Sequence, residues 1–370
     1  MRLAPAFKSL AALAIAAGLM AMVLAVLGAS PRAVCAALWS GAFGDWQAVT
    51  DTMVKATPIL FCGLAAAIAF KGSLWNIGAE GQLLIGALAA GAIGPRLGPI
   101  PRPIAIAAMM IAGLAGGALW GGLAGWLRAR RDVNEVIGTI MLKFVAVQIL
   151  SWAVHGPLIE ATRSYPKSGP IAMSAEMPLY FAPSRLNGGM LVALILALAC
   201  YLFLFHTTTG FELRAIGLNR RAAAFFGLPI ARLTILAMAL SGALGGLGGA
   251  IQVSAITHRL YESMSPGWGY EGIAAALVAR LNPIALVPAA MLFGALDNGA
   301  QAMQRTQGVS PVLAKVIQGL VIMILLALDT SAIGGLGRGG GRRRDASRES
   351  LGPVPPADPS AADALEARNA

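Results

Sequence analysis

The sequence predicts an all-α polytopic membrane protein of about ten transmembrane helices (eight to ten), a bundle packed through small residues with both termini cytoplasmic. Three observations carry this. Only 12% of the 370 residues are charged and 57% are hydrophobic, whereas soluble domains carry about twice that charged share. Apolar runs of roughly 18 residues or more recur along the chain. Forty-five glycines suit helices whose backbones approach closely in lipid. The formal net charge of +11 reads as cytoplasmic-loop bias, because the arginines cluster between apolar runs. Cys35, Cys62 and Cys200 are scattered, as are His155, His206 and His258. Neither set has the spacing of a disulfide framework or a metal site.

Taken in order, residues 1–30 form an uncleaved first span over Leu10–Leu27. Arg2 and Lys8 precede it as in a signal peptide, but the run is longer than a usual signal-peptide core and no convincing small-x-small cleavage site follows. Residues Pro31–Thr57 read as an amphipathic external segment, and a short second span runs from Pro58 to Phe70. A polar, glycine-punctuated break then interrupts the apolar pattern at Asn76–Gln82, and the third span continues to about Gly94. The fourth, Ile104–Leu127, carries Gly113, Gly117, Gly121 and Gly125 along one face, a helix-packing surface. The fifth covers Val136–Val154. A proline-rich external loop with short helical pieces, Gly156–Leu186, leads to the sixth, Gly188–Phe205. The basic connection 206–232 precedes the seventh, Thr234–Val253, with Ser241, Gly245 and Gly249 on a small-residue face. A glycine-rich external turn, Pro266–Tyr270, opens a short eighth segment, Glu271–Ala279. Spans over Ile284–Met303 and Val312–Leu328 complete the body (31–333), and the Gly/Arg-rich then Pro/Ala/Ser-rich tail, 334–370, is expected to be disordered in the cytoplasm. The densest basic clusters, Arg128–Arg131, Arg214–Arg232 and Arg338–Arg344, all fall on the cytoplasmic side of this arrangement.

An internal echo accompanies the pattern. Gly63–Phe70 (GLAAAIAF) resembles Gly272–Ala279 (GIAAALVA), and Leu83–Leu88 resembles Met291–Leu296 at nearly the same offset. Paired interrupted segments in two halves point to a transport path; Ala/Gly-rich helices also match by chance.

Catalytic patterns are absent from the sequence: no G-x-x-x-x-G-K-[ST], G-x-S-x-G, H-E-x-x-H or C-x-x-C occurs. No cofactor is expected. Polar residues set against membrane-length segments are costly unless a path or an interface uses them. Trp75, Asn76, Glu80 and Gln82 are such candidates, followed by Glu135, Thr139 and Lys143, then Asn282, Asp297 and Asn298. Their amides and carboxylates suit hydroxyls and base edges, and Trp75 offers a stacking face. Asn76 and Glu80 equally suit capping of the third span or a Glu80–Lys71 pair. Glu135 suits a first helical turn, and Asp297 and Asn298 suit a helix–helix contact. In the basic connection, Asn219 can cap a short helix over Arg220–Phe226 that Gly227 ends. Ala222, Ala223, Phe225 and Phe226 beside two arginines then form a surface suited to a groove on a partner protein, or to anionic lipid.

NIGAEGQ at Asn76–Gln82, the run Gly210–Ala223, SGALGGLGGA at Ser241–Ala250 and the run Gly269–Pro283 together resemble the permease subunits of ribose/nucleoside-type ATP-binding-cassette (ABC) importers. The similarity extends in order from about Ala56 to Leu328. VNEV at Val133–Val136 followed by TIML at Thr139–Leu142 is most similar to the nucleoside branch, from which the sequence departs at Lys143, where that branch has Asn. The resemblance implies an inner-membrane multi-pass subunit, not an enzyme, that moves nucleosides by alternating access. Its implied partners are a cytoplasmic ATPase subunit that hydrolyses ATP, a second permease, identical or homologous, and an extracytoplasmic binding protein or lipoprotein. It assigns ATPase coupling to the loop that holds Gly217, Asn219, Arg220, Arg221, Ala222, Ala223, Phe226 and Gly227. A simple-sugar permease is the alternative solute class. An ion-coupled carrier would leave the docking loop unexplained, and a membrane enzyme would need a catalytic cluster that the dispersed histidines do not supply.

Overall fold

The computed structural model describes residues 30–180 and 184–308, together with 312, 315, 316 and 319. All belong to one compact unit, 17–322. The expected first span and the expected tail, 334–370, lie outside the described residues, as does most of the expected last span. Eleven α-helices occur among the described residues: α1 Pro31–Phe43, α2 Trp46–Lys71, α3 Ala79–Ile93, α4 Arg102–Arg131, α5 Glu135–His155, α6 Gly188–His206, α7 Thr208–Leu218, α8 Arg220–Phe225, α9 Ile230–Gln252, α10 Trp268–Val278 and α11 Pro283–Gln307. A π-helical turn, Val253–Thr257, extends α9. Six of these helices, namely α2, α4, α5, α6, α9 with its extension, and α11, are long and apolar enough to cross a membrane. Among the described residues β-structure is confined to three isolated bridges.

The helix entering the break begins twelve residues before the expected start at Pro58. Asp45 caps it, its Oδ1 accepting from the Ala48 amide at 2.6 Å, and Pro58 sits inside α2. Proline at a helix start is favourable, which made Pro58 read as a beginning. Here the surrounding helices bury the residue instead, and the neighbouring Thr57 hydroxyl donates to the Met53 carbonyl at 2.9 Å. Hydroxyl back-bonding of this kind accompanies proline within buried helices. The segment before Pro58 is therefore largely helical: α1, a short turn and the first half of α2.

Glycines set the distances between helices. The predicted ladder on α4 packs on Gly242 and Gly246 of α9, a stripe beside the predicted Ser241–Gly245–Gly249 face, which meets α3 instead: a Cβ at Gly117 would overlap the Gly242 carbonyl oxygen, and one at Gly246 the Gly113 carbonyl. Gly86 brings α3 onto Gly246 in the same cluster. The internal echo has a structural counterpart, because Gly63 of α2 and Gly272 of α10, the first residues of the two matching segments, meet. A Cβ at Gly272 would lie 2.7 Å from the Gly63 nitrogen. Both segments then end in left-handed backbone, Ser73 in one and Arg280 with Leu281 in the other. Each turn leads to an asparagine, Asn76 and Asn282, ahead of a further helix.

At one end of the bundle, α6 turns tightly into α7 and α8. At the opposite end, the loop 156–187, expected to hold short helical pieces, contains one 3₁₀ turn among its described residues, Met173–Ala175. It is tied across the strand-like segment after α9: Ser168 N donates to the Leu260 carbonyl and Ile171 N to that of His258. The Leu260 amide donates to Ser168 Oγ at 2.9 Å. Glu160 pairs with Arg259 and with Lys167 at 3.1 Å. The hydrogen bonds from Arg259 and then Lys167 hold the Glu160 carboxyl below its ordinary range.

Two outcomes follow. Gly117→Val lowers the thermal midpoint and the yield of monodisperse protein, since forced overpacking costs about 1–3 kcal/mol or more. Gly122→Val, where a Cβ would meet only Ala239 at 3.6 Å, leaves both near wild type. Because the Glu160 pKa is lowered on folding, its contribution is complete above the ordinary glutamate range and is lost as pH falls through the lowered value. Hydrogen exchange at the Ser168 and Ile171 amides, corrected for intrinsic rates, therefore rises only in acid. Glu160→Gln gives fast exchange already at neutral pH.

Candidate functional site: a break in the bundle coupled to a helical hairpin

Residues 72–78 join α2 to α3; the Gly72, Ser73 and Leu74 amides donate back to the Ala69 and Phe70 carbonyls, and the polar groups that follow need partners inside the bundle. Asn76 organises them. Its Nδ2 donates to Gln82 Oε1 at 2.9 Å and to Ser241 Oγ at 2.8 Å. Its Oδ1 accepts from the Gly78 amide at 3.0 Å and from Gln82 Nε2 at 3.2 Å. Ser241 Oγ in turn donates to the Ala65 carbonyl of α2 at 2.6 Å. Asn76, Gln82 and Ser241 are all buried, and the Asn76 amide spends both donors and its oxygen within the protein. Ser241, read from sequence as part of a packing face, is the third member of this network.

The break also gathers neighbouring helices. Thr139 Oγ1 accepts from the Ile77 amide at 3.3 Å and donates to the Glu135 carbonyl at 2.7 Å. Buried Glu80, in the first turn of α3, accepts from the Gly269 amide at 2.5 Å, so α3 and α10 start side by side. Lys71 does not pair with Glu80; its ammonium lies 5.8 Å from the Phe205 ring centroid. Trp75 is half-exposed, its ring 4.8 Å from that of Phe70.

Lys143 completes this group. Its Cα lies 2.7 Å from where a Gly81 Cβ would stand, so α5 and α3 touch through their backbones at that level. The ammonium sits over two rings, 4.8 Å from the Phe144 centroid and 5.1 Å from that of Tyr270. Tyr270 is not among the residues the sequence singles out. Its flanking glycines and Pro266 read as a turn, whereas α10 already begins at Trp268. The structure thus brings together Trp75, Asn76, Glu80, Gln82, Thr139 and Lys143.

The remaining candidates lie apart. Glu135 opens α5 after the Asn134 cap and pairs with Arg128 at 3.0 Å. Asn282 caps α11 through Ile284 N at 3.0 Å. Asp297 pairs with Lys55 of α2 at 3.5 Å, a lysine in the stretch read as external. Asn298 Nδ2 donates to Gly41 O, Ala48 O and Thr52 Oγ1 at 2.9, 3.0 and 3.2 Å, tying α11 to the α1–α2 corner.

The hairpin α7–α8 sits directly on the break. Ser73 Oγ donates to the Gly217 carbonyl at 2.8 Å, and a Cβ at Gly217 would overlap the Lys71 carbonyl oxygen. Asn219 caps α8, accepting from the Ala222 amide at 3.0 Å, and Gly227 follows it with φ +76°. Arg220, Arg221 and Phe226 are exposed and Ala222 is partly buried, with Phe225 88% and Phe226 79% exposed. Ala223 does not share that exposure: it is buried with Ile216 and Leu233.

Comparison with known proteins places this architecture. A family model described as the branched-chain amino acid transport system permease component matches residues 48–326. The chain belongs to this family. It is a transport component of a multi-pass membrane type rather than an enzyme. It is 35% identical over 319 residues to the guanosine ABC transporter permease protein NupP of Bacillus subtilis, covering 85% of this chain and 90% of that protein. It is 32% identical to the glucose ABC transporter permease protein TsgB13 of Haloferax volcanii, with 75% and 76% covered. The nucleoside ABC transporter permease protein NupB of Lactococcus lactis is 31% identical, with 82% and 86% covered.

Asn76→Ala leaves several buried groups without partners, each costing about 1–3 kcal/mol. A pronounced fall in the thermal midpoint of the purified permease is expected, whereas Trp75→Phe, which keeps the ring contact, stays near wild type.

Proposed function

We propose that this permease is the membrane subunit of an ABC importer for nucleosides, acting with a separate cytoplasmic ATPase. The observation that carries the reading is the α7–α8 hairpin, which presents Phe225 and Phe226 beside Arg220 and Arg221 and rests on the break through Ser73 and Gly217. A short helix with aromatic and basic side chains outward fits a protein groove, and its seat on the break gives a route from partner to path. The names of the Bacillus subtilis and Lactococcus lactis relatives support nucleosides as solutes; that of the Haloferax volcanii relative supports a simple sugar as the second reading.

In this account the subunit lies in the bacterial inner membrane, with ten spans including the short α3 and α10 and with both termini cytoplasmic. Residues 1–30 supply the first span, 31–333 the permease body with its coupling loop 206–232, and 334–370 the tail. A second permease, identical or homologous, completes the path, and an extracytoplasmic binding protein or lipoprotein delivers the solute. Closure of the ATPases moves the hairpin. Gly217 passes that movement to Lys71–Ser73, and the first turns of α3 and α10 follow, because Asn76 and Glu80 tie them to the break. Alternating access is then a shift between two packings of the bundle. Trp75, Lys143 and Tyr270 face the solute. Asn76, Gln82 and Thr139 hold the frame, while Glu135, Asn282, Asp297 and Asn298 support the helix ends and pairs around it.

Deleting the gene abolishes uptake of labelled guanosine, and in wild-type cells excess cold nucleosides compete while ribose and glucose do not. Competition by sugar alone moves the assignment to sugars. Phe226→Asp lowers uptake at least about tenfold, as expected for a lost interface anchor, with membrane insertion retained. Uptake at the wild-type level in that variant would remove the docking role from α8. Ala223→Glu would instead report on packing inside the hairpin.

A further inference from the structure

We infer that Lys143 reads the base of the transported solute and selects 6-oxopurine nucleosides, guanosine and inosine, over adenosine. This rests on the nucleoside reading above and adds to it the base class and the residue that chooses it.

Depth comes first. With about 1.5 Å of rise per residue, Lys143 stands roughly 12 Å from the Glu135 end of the 21-residue α5 and roughly 18 Å from its His155 end. A lysine stem covers about 6 Å, too little to carry the ammonium to either interface. The Lys143 backbone faces the bundle, while Phe144, one of the two rings under its ammonium, is 53% exposed. Lys143 shares the helix stripe of Thr139, Ala146 and Leu150, all buried, and its backbone touches Gly81 of α3.

Its surroundings come next. Among the described residues no carboxylate pairs with Lys143 and no carbonyl accepts from it; its neighbours are the faces of Phe144 and Tyr270. Ring faces attract a cation but accept no conventional hydrogen bond, so its three N–H donors are held in place and left unspent. Lys143 is partly buried and Tyr270 is 44% exposed, so the seam where α3, α5 and α10 meet is reachable from outside the bundle. An ammonium donates and never accepts. It therefore matches a base edge carrying two adjacent acceptors, O6 and N7 of a 6-oxopurine, and meets a competing donor, the N6 amine, on adenine. An amide at this position would have the opposite preference, since Asn pairs with adenine N6 and N7.

The test is uptake by cells carrying the whole importer, with labelled guanosine or inosine against labelled adenosine at saturating solute, for wild type, Lys143→Asn and Lys143→Arg. Comparing ratios between variants cancels the contribution of the delivery protein. Wild type should favour the 6-oxopurines by about tenfold or more. Lys143→Arg should keep that preference, and Lys143→Asn should erase or invert it. Should Lys143→Asn not reach the membrane, Tyr270→Leu carries the same test: without the ring the preference falls while Tyr270→Phe restores it. A guanosine-to-adenosine ratio that is the same in wild type and Lys143→Asn overturns the assignment, as does a wild-type preference for adenosine or pyrimidine nucleosides. If wild-type cells take up no nucleoside through this importer, the nucleoside reading fails first and the base assignment with it.

Discussion

Backbone groups released from a helix inside an apolar bundle have no water to turn to, and the break between α2 and α3 is built around that constraint. Asn76 meets it by joining both helices, the start of α3 and Ser241 of α9 in one closed network. The glycine contacts are the other half of the same solution. Gly245 and Gly249 let α9 come against Ala79, Gln82 and Leu83, which puts Ser241 within reach of Asn76. Larger side chains there would push α9 away and leave the amide unsatisfied, at a cost comparable with a fair part of a protein's net stability.

A break held this way can still transmit movement, because it is fixed at few points. Ser73 and Gly217 join it to the hairpin, Asn76 to α9, Ile77 to Thr139 of α5, and Glu80 to α10. Contacts made of backbone and short side chains leave little slack. In the proposed importer a displacement of α7 at Gly217 therefore reaches the first turns of α3 and α10 together, next to Lys143 and Tyr270. The meeting of Gly63 and Gly272, equivalent positions of the two echoing segments, places α2 and α10 in direct contact where they form two sides of this unit.

Much of this was legible in the sequence because it depends on local chemistry. The break announces itself by Asn, Glu and Gln among apolar residues, the α4–α9 seam by glycines four apart, and α8 by its Asn219 cap and Gly227. Other features depend on what comes to lie nearby. Pro58 reads as a helix start until buried neighbours enclose it. Tyr270 reads as turn because three glycines and a proline crowd its vicinity, although Gly269 is small in order to approach Glu80. Ala223 looks equivalent to Ala222 and Ala224 until α7 and α9 cover one side of α8. The polar candidates divide in the same manner: the sequence marks Asn76, Gln82 and Asn298 as costly residues in an apolar setting and allows capping or helix contacts for Asn76 and Asn298, and the structure supplies the partners, namely one another, the Ser241 and Thr52 hydroxyls and the backbone.

The central claim is that Lys143 and Tyr270 face an aqueous solute path that the hairpin controls. Thiol accessibility measures this directly. In a background with Cys35, Cys62 and Cys200 replaced, Lys143→Cys and Tyr270→Cys are probed with a membrane-impermeant thiol reagent, beside Ile137→Cys on the exposed apolar face of α5. The account predicts rapid labelling at 143 and 270, slowed by nucleoside and altered when ATP is supplied to the assembled importer. Labelling no faster than at 137, without protection by nucleoside, would contradict it.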